Sequence, residues 1–531
     1  AQAAIGVPII KDVLAIRVAG SLNHTEGNGV KSANSRLEPF FKAEGLRGSV
    51  RFEPGSNFTA NVMYQRYWQK SRSFSQVTGL GNTIAANGPN GPAIRPGDRL
   101  GITDGASTGN SKIDYVVGQA EWRFGGQKLT YVGAYRDESL ISVSAQDGAN
   151  VIHGIEYFQN VNNASTEQTH ELRLASEDRV LGIFDYVIGG FYNKTTGRSN
   201  VLNPARFLTG AFGRPGTTPT PQVDPLARYT LNTAILIDNG STEKSLFGNV
   251  TAHIGENTEL SVGGRYIDFN RRDKFSIDTL GAFNAVRVPS CAFVPGSAPS
   301  TVYTGDPLVC DLPIAGSNIQ TVDRSAKYTP FLYNVSLSHK FTPDFMVYGN
   351  VGSAFRSAGP RIGFTSPIVC CTASGGPALA PIDDLVFQRE ENSKSYEIGF
   401  KAALADSRVR FNVSLFQQDY DNFYFQTQPV QYLSITNPAN PLAANGASIS
   451  NSEFTVGGKA RVRGVDIDAA FQVTSRWSVN LAMTYSKANL SNALVPCNDS
   501  NFDGNPDSGV PTVAGFVSKG LIVARCQSND S

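Results

Sequence analysis

The sequence predicts an all-β protein, a transmembrane antiparallel β-barrel with long extracellular loops, and three observations lead to this prediction. Apolar and polar residues alternate at period two again and again, with almost no sustained period of 3.6. The alternating runs are about 10 to 14 residues long, whereas strands in soluble domains cluster near 5 to 6. Short turns and long irregular stretches also alternate along the chain, which is typical of outer-membrane barrels.

The composition agrees with this fold and excludes others. The 531 residues include 46 basic and 45 acidic ones, so the sequence carries no charge excess for nucleic acid and we expect no such partner. Charged residues make up 17%, below the roughly 25% of soluble domains, while 52 Gly and 10% aromatics favour strands and turns. No run approaches the roughly 18 apolar residues of a spanning helix, so an α-helical membrane protein is excluded.

Each strand is justified by its two faces, one apolar and aromatic, the other polar and often charged. In order along the chain, the apolar faces include Leu14, Ile16 and Val18; Leu46, Val50 and Phe52; Phe58, Val62 and Tyr64; Val116, Trp122 and Phe124; Leu260, Val262 and Tyr266; Tyr396, Ile398 and Phe400; and Val479, Leu481, Met483 and Tyr485. We count about 15 strands, and expect 15 to 17, in a barrel portion that covers residues 1–488. Residues 489–531 are predicted to be a long extracellular loop, with the barrel incomplete after it and further strands outside this segment.

The connections between the strands fall into two classes. The short turns are predicted at 53–57, 125–126, 255–257, 342–344, 404–406 and 474–476, and the long stretches at about 69–112, 137–164, 195–241, 271–324, 358–390 and 422–456. Aromatic residues flank the short turns, as in Phe52 and Phe58 or Phe471 and Trp477. Rings at these places are typical of the interfacial belt of a membrane protein, although aromatics also flank turns in other sheets.

The polar faces predict a wet interior. Residues that point inward by parity are Arg17, Arg47, Arg51, Arg123, Arg265, Arg408, Glu121, Glu397, Lys401, Asp466 and Asp468. They could line a channel or pair with a domain inside it, and a generic solvated lumen is the alternative for any one of them.

Six cysteines lie in loop-like sequence, and an even number in loops indicates an oxidising compartment. They are Cys291, Cys310, Cys370, Cys371, Cys497 and Cys526. Many pairings are open, and sequence proximity alone favours Cys291 with Cys310 and Cys497 with Cys526. Free thiols in a reduced protein remain the alternative. Spaced Cys-x-x-Cys pairs of the zinc type are absent from the sequence.

One short stretch resembles the first half of a calcium loop. Asp499, Asn501 and Asp503 alternate, Gly504 follows, and Asp507 could add a ligand. Position twelve is Val510 instead of the bidentate Glu, so a hydrated surface loop is the alternative. A structural Ca²⁺ is therefore a candidate, and no cofactor is required.

Catalytic motifs are weak. Gly105–Gly109 matches the Gly-x-Ser-x-Gly pattern of hydrolases, but no buried strand precedes it and no helix is predicted after it. The five histidines lack metal-ligand spacing. We therefore expect no enzyme.

Several motifs, in order and spacing, resemble the barrel of TonB-dependent outer-membrane receptors. They are the segment 8–17 (PIIKDVLAIR), Leu246–Asn249, Gly263–Tyr266, Tyr328–Pro330, Phe345–Tyr348 running into Phe355–Arg356, Ser395–Lys401 (SYEIGFK), Phe416–Tyr420 and Arg463–Asp468 (RGVDID). The resemblance covers most of residues 8–488. It implies a 22-stranded barrel in the outer membrane of a Gram-negative bacterium, with a plug domain that is not found in this segment.

The resemblance also implies a function: import of a scarce small-molecule ligand, energised by the inner-membrane TonB complex through the plug. A ferric siderophore, which is a metal chelate, is the family's commonest ligand, and outer-membrane lipid is the surrounding partner. Tyr67, Trp68, Arg356 and Arg361 are candidate ligand-binding residues at the extracellular mouth. The alternatives are a passive porin and a soluble extracellular β-rich binding or adhesion module.

Overall fold

The computed structural model describes residues 1–77, 94–146, 158–206, 230–278, 285–288, 302–303, 310–313, 319–357, 389–435, 442, 447–491 and 493–527. The first strands are β1 (Gln2–Ile10), β2 (Leu14–Thr25), β3 (Lys31–Ser32), β4 (Phe40–Gly55), β5 (Phe58–Ser73), β6 (Leu100–Gly101), β7 (Ser107–Phe124), β8 (Gln127–Ala145), β9 (Phe158–Ser176), β10 (Phe184–Arg206), β11 (Thr230–Ile254), β12 (Thr258–Asp278) and β13 (Ala285–Val288). The remaining strands are β14 (Val302–Tyr303), β15 (Cys310–Pro313), β16 (Ile319–Tyr328), β17 (Phe331–Thr342), β18 (Phe345–Arg356), β19 (Glu391–Leu404), β20 (Val409–Gln426), β21 (Val430–Ile435), β22 (Ala447–Ser452), β23 (Thr455–Thr474), β24 (Trp477–Ser491), β25 (Leu494–Pro496) and β26 (Arg525–Gln527). A 3-10 turn spans Pro96–Asp98, and the helix α1 spans Val513–Lys519.

One antiparallel sheet of 17 strands dominates the described chain, and this confirms the predicted fold class and strand number. Each strand pairs with the strands that precede and follow it along the chain, from β1 to β24, with the small strands β3, β6, β13–β15, β21 and β22 left out of the sheet. β16 and β17 both pair with β12, so they form one line that is interrupted at Thr329 and Pro330. Among the described residues, no helix is long and apolar enough to cross a membrane.

The connections alternate strictly between two sizes, as predicted. The short ones are 11–13, 56–57, 125–126, 177–183, 255–257, 343–344, 405–408 and 475–476, and the long ones are 26–39, 74–106, 146–157, 207–229, 279–318, 357–390 and 427–454. The two-residue turn between β7 and β8 contains Gly125 and Gly126 at φ 56° and 73°. Positive φ at both central residues is what a tight hairpin turn with the right twist needs, and glycine adopts it without strain.

The two faces of the sheet differ in the way that the alternation predicted. Large apolar side chains project from one face, here called the outer face, and many are more than half exposed, as with Leu246 at 70% and Ile398 at 58%. Along the apolar part of the strands, the charged residues lie on the other face, here called the polar face. Because apolar groups on this scale are unstable in water, the outer face is suited to lipid.

Aromatic residues form a band on the outer face near the short turns. Phe345 lies 5.9 Å from Phe341 and 6.0 Å from Phe400 between ring centroids, and Trp122 lies 4.6 Å from Phe124. Nearer the long connections the outer face carries a second set of rings: Tyr64, Tyr131, Tyr135, Tyr266, Phe331, Tyr396 and Tyr485. Trp477 and Tyr485 are eight residues apart on β24, which at about 3.3 Å per residue and a tilt near 40° corresponds to roughly 20 Å across the sheet. This separation is close to the roughly 25 Å height of the apolar band of an outer-membrane barrel.

Two sequence-based expectations need correction. The strands are longer than predicted, up to 25 residues in β11, so they run well into the stretches 195–241 and 271–324 that were expected to be irregular. The extensions do not alternate between apolar and polar residues, since 271–274 are all charged and 234–237 are all apolar, and a period-two pattern therefore does not mark them. Arg408 does not belong to the inward row, because it lies in the turn before β20 and donates to the carbonyls of Gln472 and Val473.

Two long connections fold together into a small unit, here called the cap, made of residues 427–435, 447–456 and 493–527. Its core is formed by Val430, Leu433, Ile435, Phe454, Val456, Phe516, Val517, Ile522, Val523 and Ala524, with Phe454 and Phe516 fully buried. The Leu433 amide donates to the Ile522 carbonyl at 2.7 Å, and Thr512 caps α1 by accepting from the Gly515 amide at 3.0 Å. The segment predicted as a long loop from 489 therefore carries a helix and two strands, and β24 extends to Ser491.

Candidate functional site

The polar face carries ion pairs that lie within one strand, between neighbouring strands or between a strand and a turn. Arg265 on β12 donates to Glu243 on β11 at 2.7 Å, and its guanidinium carbon lies 5.0 Å from the ring centroid of Phe191. Arg123 contacts Glu121 at 3.1 Å and Glu177 at 2.8 Å. Arg265, Arg123 and Glu121 have the parity predicted for the interior. Because these charges of opposite sign are paired, they largely cancel one another, and the polar face is hydrated without a strong net charge there.

A second network lies on the polar face of β18 and β19. The Tyr348 hydroxyl donates to Glu397 at 2.7 Å, and the Lys401 ammonium lies 5.7 Å from the centroid of the Tyr348 ring. Both Glu397 and Lys401 were predicted to face inward. Gly399 stands between them, and a Cβ there would come within 2.7 Å of the Tyr348 ring. The small residue therefore makes room for the ring to reach across the strand.

The candidate binding site lies at the end of the sheet that carries the long connections, around Arg356. The Arg356 guanidinium donates to Glu391, whose side chain is 10% exposed, and its carbon lies 3.5 Å from the ring centroid of Tyr424. The Tyr424 amide in turn donates to the same carboxylate at 3.3 Å. Arg356 remains about half exposed at 48%, so one face of the cation stays open to a ligand.

Aromatic rings border this cluster on the side of β12 and β16. Phe269, Tyr328 and Phe355 contact one another with ring centroids 5.7 to 6.3 Å apart. Arg271 and Asp273 form an ion pair at 2.6 Å, and Asp273 is buried at 7%. We define the mouth cluster as Arg356, Glu391 and Tyr424 with Phe269, Tyr328 and Phe355.

The mouth cluster combines flat apolar rings with a partly open guanidinium. Such a surface can hold a ligand that is both aromatic and anionic, because the rings stack on its flat parts and the cation binds its oxygens. Among its described residues, the cluster contains no nucleophile that is paired with a base. Arg356 was predicted from the sequence, whereas Glu391 and Tyr424 were missed. They lie 35 and 68 residues further along the chain, and no short motif signals that contact.

Comparison with known proteins identifies the family. The model of the family described as TonB dependent receptor-like, beta-barrel, matches residues 51–520. The chain belongs to this family. The family is one of outer-membrane receptors, and an exposed apolar outer face such as this one is typical of barrels that contact a bilayer.

Solved structures agree with the fold of the TonB-dependent barrel. The ferric yersiniabactin uptake receptor FyuA from Yersinia pestis aligns over 95% of this chain and 60% of its own, with 14% identity and a TM-score of 0.58. The ferric-catecholate import receptor Fiu from E. coli K12 aligns over 95% and 66%, with 16% identity and a TM-score of 0.53. The siderophore receptor PiuA from Acinetobacter baumannii aligns over 92% and 62%, with 14% identity and a TM-score of 0.52. This chain thus spans less than two thirds of the length of these receptors, and the likeness concerns the fold.

Three of the four predicted ligand-binding residues of this receptor barrel are described, and of these Arg356 lies in the mouth cluster. Tyr67 lies on the polar face, because it is two residues from Gln65 on the same strand. The Gln65 side chain accepts from Arg47 on that face at 2.9 Å. Trp68 lies on the outer face, where the Arg66 guanidinium carbon is 5.6 Å from its ring. Adjacent strand residues point to opposite faces, so only Tyr67 of this pair lies on the polar face. Arg361 lies outside the described residues, and ligand binding by the others stays a prediction.

The cysteines of the receptor barrel are only partly described. Cys497 and Cys526 form a disulfide that joins β25 to β26, with their Cα atoms 5.8 Å apart. Cys291, Cys370 and Cys371 lie outside the described residues, as does the side chain of Cys310.

The candidate calcium loop lies in the cap and is closed by its own hydrogen bonds. Asp499 is buried at 2% and accepts from the amides of Asp503 and Gly504 at 3.2 and 2.8 Å. The Asn501 side chain accepts from Asp503 at 3.0 Å. The Ser500 amide donates to Asp507 at 2.9 Å and holds the pKa of that carboxyl below its usual value, with help from Gly509. No group of three or more His, Cys, Asp or Glu suited to a metal ion occurs in the part of the chain that the structure describes, and Ca²⁺ binding stays a prediction.

Proposed function

We propose that this chain forms the membrane wall of a receptor that imports a scarce ligand across the outer membrane, energised by the inner-membrane TonB complex through a plug domain of the kind the family carries. The observation that carries the proposal is the family match over residues 51–520, together with a lipid-suited outer face and a paired polar face. The chain is a transporter component in this account, and no enzymatic step is assigned to it.

We further propose a ferric siderophore as the ligand. Siderophore complexes are flat in part and rich in oxygen, so they match the rings and the open guanidinium of the mouth cluster. The solved receptors FyuA and Fiu are described as taking up ferric yersiniabactin and ferric catecholates, which supports this class without selecting a member.

Uptake by a strain that lacks the gene tests the import proposal. Growth is measured on a panel of ferric siderophores as sole iron source, with and without an intact TonB complex. Restoration of growth by the full-length gene, and only when TonB is intact, is the expected result. Restoration that does not need TonB would favour a passive porin, and a full-length product that stays soluble without detergent would favour the extracellular binding module.

Two matched variants test the site. Arg356→Ala removes the open cation of the mouth cluster and should weaken binding of the active siderophore by about tenfold or more, since charge-assisted hydrogen bonds contribute roughly 1.5 to 3 kcal/mol. Arg272→Ala removes an equivalent cation that pairs with Asp323 at 2.6 Å on the outer face, and it should leave binding unchanged. Equal loss in the two variants, measured by quenching of protein fluorescence, would remove the mouth cluster from the account.

A further inference from the structure

A group of cations lies on the outer face of β19, β23 and β24. It lies directly beyond the set of outer-face aromatic residues nearer the long connections. Lys394 is two residues beyond Tyr396, Arg463 is two residues from Val465, and Lys487 is two residues beyond Tyr485. Residues two apart on a strand share a face. The first of these cations therefore lie two residues beyond the apolar band, on the side of the long connections. We define the basic patch as Lys394, Lys459, Arg461, Arg463 and Lys487.

The basic patch is not neutralised by its neighbours. The outer face of the intervening strand β20 offers two carboxylates, Asp419 and Asp421, against five cations. Arg461 forms an ion pair with Asp419, and Arg463 donates to the neutral amide of Gln417 at 2.8 Å. Within the described chain, no ion pair involves Lys394, Lys459 or Lys487.

Outer-face cations elsewhere in the sheet often have a carboxylate partner. Arg198 pairs with Asp238 at 2.7 Å, Arg272 with Asp323 at 2.6 Å, and Lys327 with Asp268 at 3.1 Å. Concentrated unpaired cations repel one another, and their repulsion destabilises the site unless an anion binds between them.

Two adjoining cavities give the basic patch a shape. A cavity of about 790 Å³ lies at the charged level and is bordered by Lys394, Asp419, Lys459, Arg461 and Arg463. A groove of about 680 Å³ adjoins it on the apolar band and is bordered by Gly349, Ile398, Leu415 and Val465. Tyr396 and Arg463 border both. A polar pocket therefore opens directly into an apolar groove at the level where lipid headgroups meet lipid chains.

We propose that the basic patch and the groove bind a phosphorylated, acylated glycolipid of the outer leaflet, with its phosphates on Lys394, Lys459 and Arg463 and one acyl chain in the groove. Lysine and arginine side chains are the usual phosphate ligands, and the guanidinium binds phosphate in a bidentate way. The groove supplies the apolar surface that a free phosphate compound would leave unused. This inference depends on the outer face meeting lipid and is independent of what the receptor imports.

The test measures binding of bisphosphorylated lipid A to the folded full-length protein in detergent by native mass spectrometry. The variant Lys394→Gln/Lys459→Gln/Arg463→Gln should bind at least tenfold more weakly than the wild type. Dephosphorylated lipid A should lose affinity for the wild type to a similar degree. Lys194→Gln is the matched control, since it removes an exposed outer-face cation of β10, and it should bind like the wild type.

A second variant tests the groove separately. Gly349→Val fills its floor, and a Cβ at this position would meet only the Glu397 carbonyl, at an ordinary 3.7 Å, so folding should be retained. It should weaken lipid A binding severalfold and leave the weak binding of inorganic pyrophosphate unchanged. Heat-modified gel mobility verifies that each variant is folded. Equal lipid A affinity in the triple variant and the wild type, or pyrophosphate binding as tight as lipid A, would overturn the proposal, as would an equal loss in Lys194→Gln.

Discussion

The disulfide between Cys497 and Cys526 should control how often the cap opens. The two cysteines are 29 residues apart, and closing a loop of this length lowers the entropy of the open chain by about 12 cal/mol/K, or about 3.6 kcal/mol at 25 °C. Replacing both cysteines by alanine keeps the buried sites apolar and removes only the cross-link. The population of the open cap should therefore rise roughly 400-fold.

Native-state hydrogen exchange of the full-length protein measures this opening. The Leu433 amide, which bonds across the cap to Ile522, should lose protection in the double alanine variant. Amides in the middle of β12 serve as the internal control and should keep their protection, because the cap has its own core. Unchanged exchange at Leu433 would refute the reasoning, since the apolar core alone would then hold the cap closed. Loss of protection in β12 as well would show that the cap is not a separate cooperative unit.

Three further predictions concern single positions. Gly464→Ala should lower the free energy of unfolding by about 1 to 3 kcal/mol in denaturant unfolding, because a Cβ there would collide with the Phe416 ring and lie 2.5 Å from the Tyr485 carbonyl. Gly349→Ala is the control. It creates no such contact and should lower the free energy of unfolding much less. The lowered pKa of Asp507 means that its ionised form stabilises the folded loop, so this contribution is complete above the ordinary carboxyl pKa and is lost as the pH falls below it. The protection factor of the Gly509 amide, which donates to Asp507, should therefore fall in acid in the wild type, and Asp507→Asn should remove that dependence. Millimolar Ca²⁺ should raise the melting temperature of the cap if the loop at Asp499 binds it, and the absence of any shift would end the calcium prediction.

The sequence predicted the faces of the sheet because lipid and water impose opposite requirements on neighbouring residues. Leu260, Val262 and Tyr266 project outward while Arg265 pairs inward, as their alternation indicated. Strand length was underestimated for the same physical reason. Beyond the apolar band the two faces of a strand no longer meet lipid and water respectively, so the extensions at the far ends of β10 and β11 carry no period-two signal.

The candidate site was less predictable than the sheet. Arg356 could be named because a motif places it at a strand end, but its contact with Tyr424 depends on how β18 and β20 approach across β19. The cap could not be predicted as a unit, because its core joins two connections that are separated by the whole of β23 and β24. Sequence proximity of Cys497 and Cys526 was the one local signal that pointed to it.

The central claim is that alternate residues of each strand face lipid and an enclosed polar interior. Nitroxide labels placed one at a time along β12, from Leu260 to Tyr266, test it most directly in the reconstituted full-length protein. Oxygen, which concentrates in lipid, should relax the labels at Leu260, Val262 and Tyr266, and a water-soluble nickel reagent should relax those at Ser261 and Arg265, with a strict period of two. Equal access of both reagents at every position, or a period of two in the opposite phase, would contradict the account.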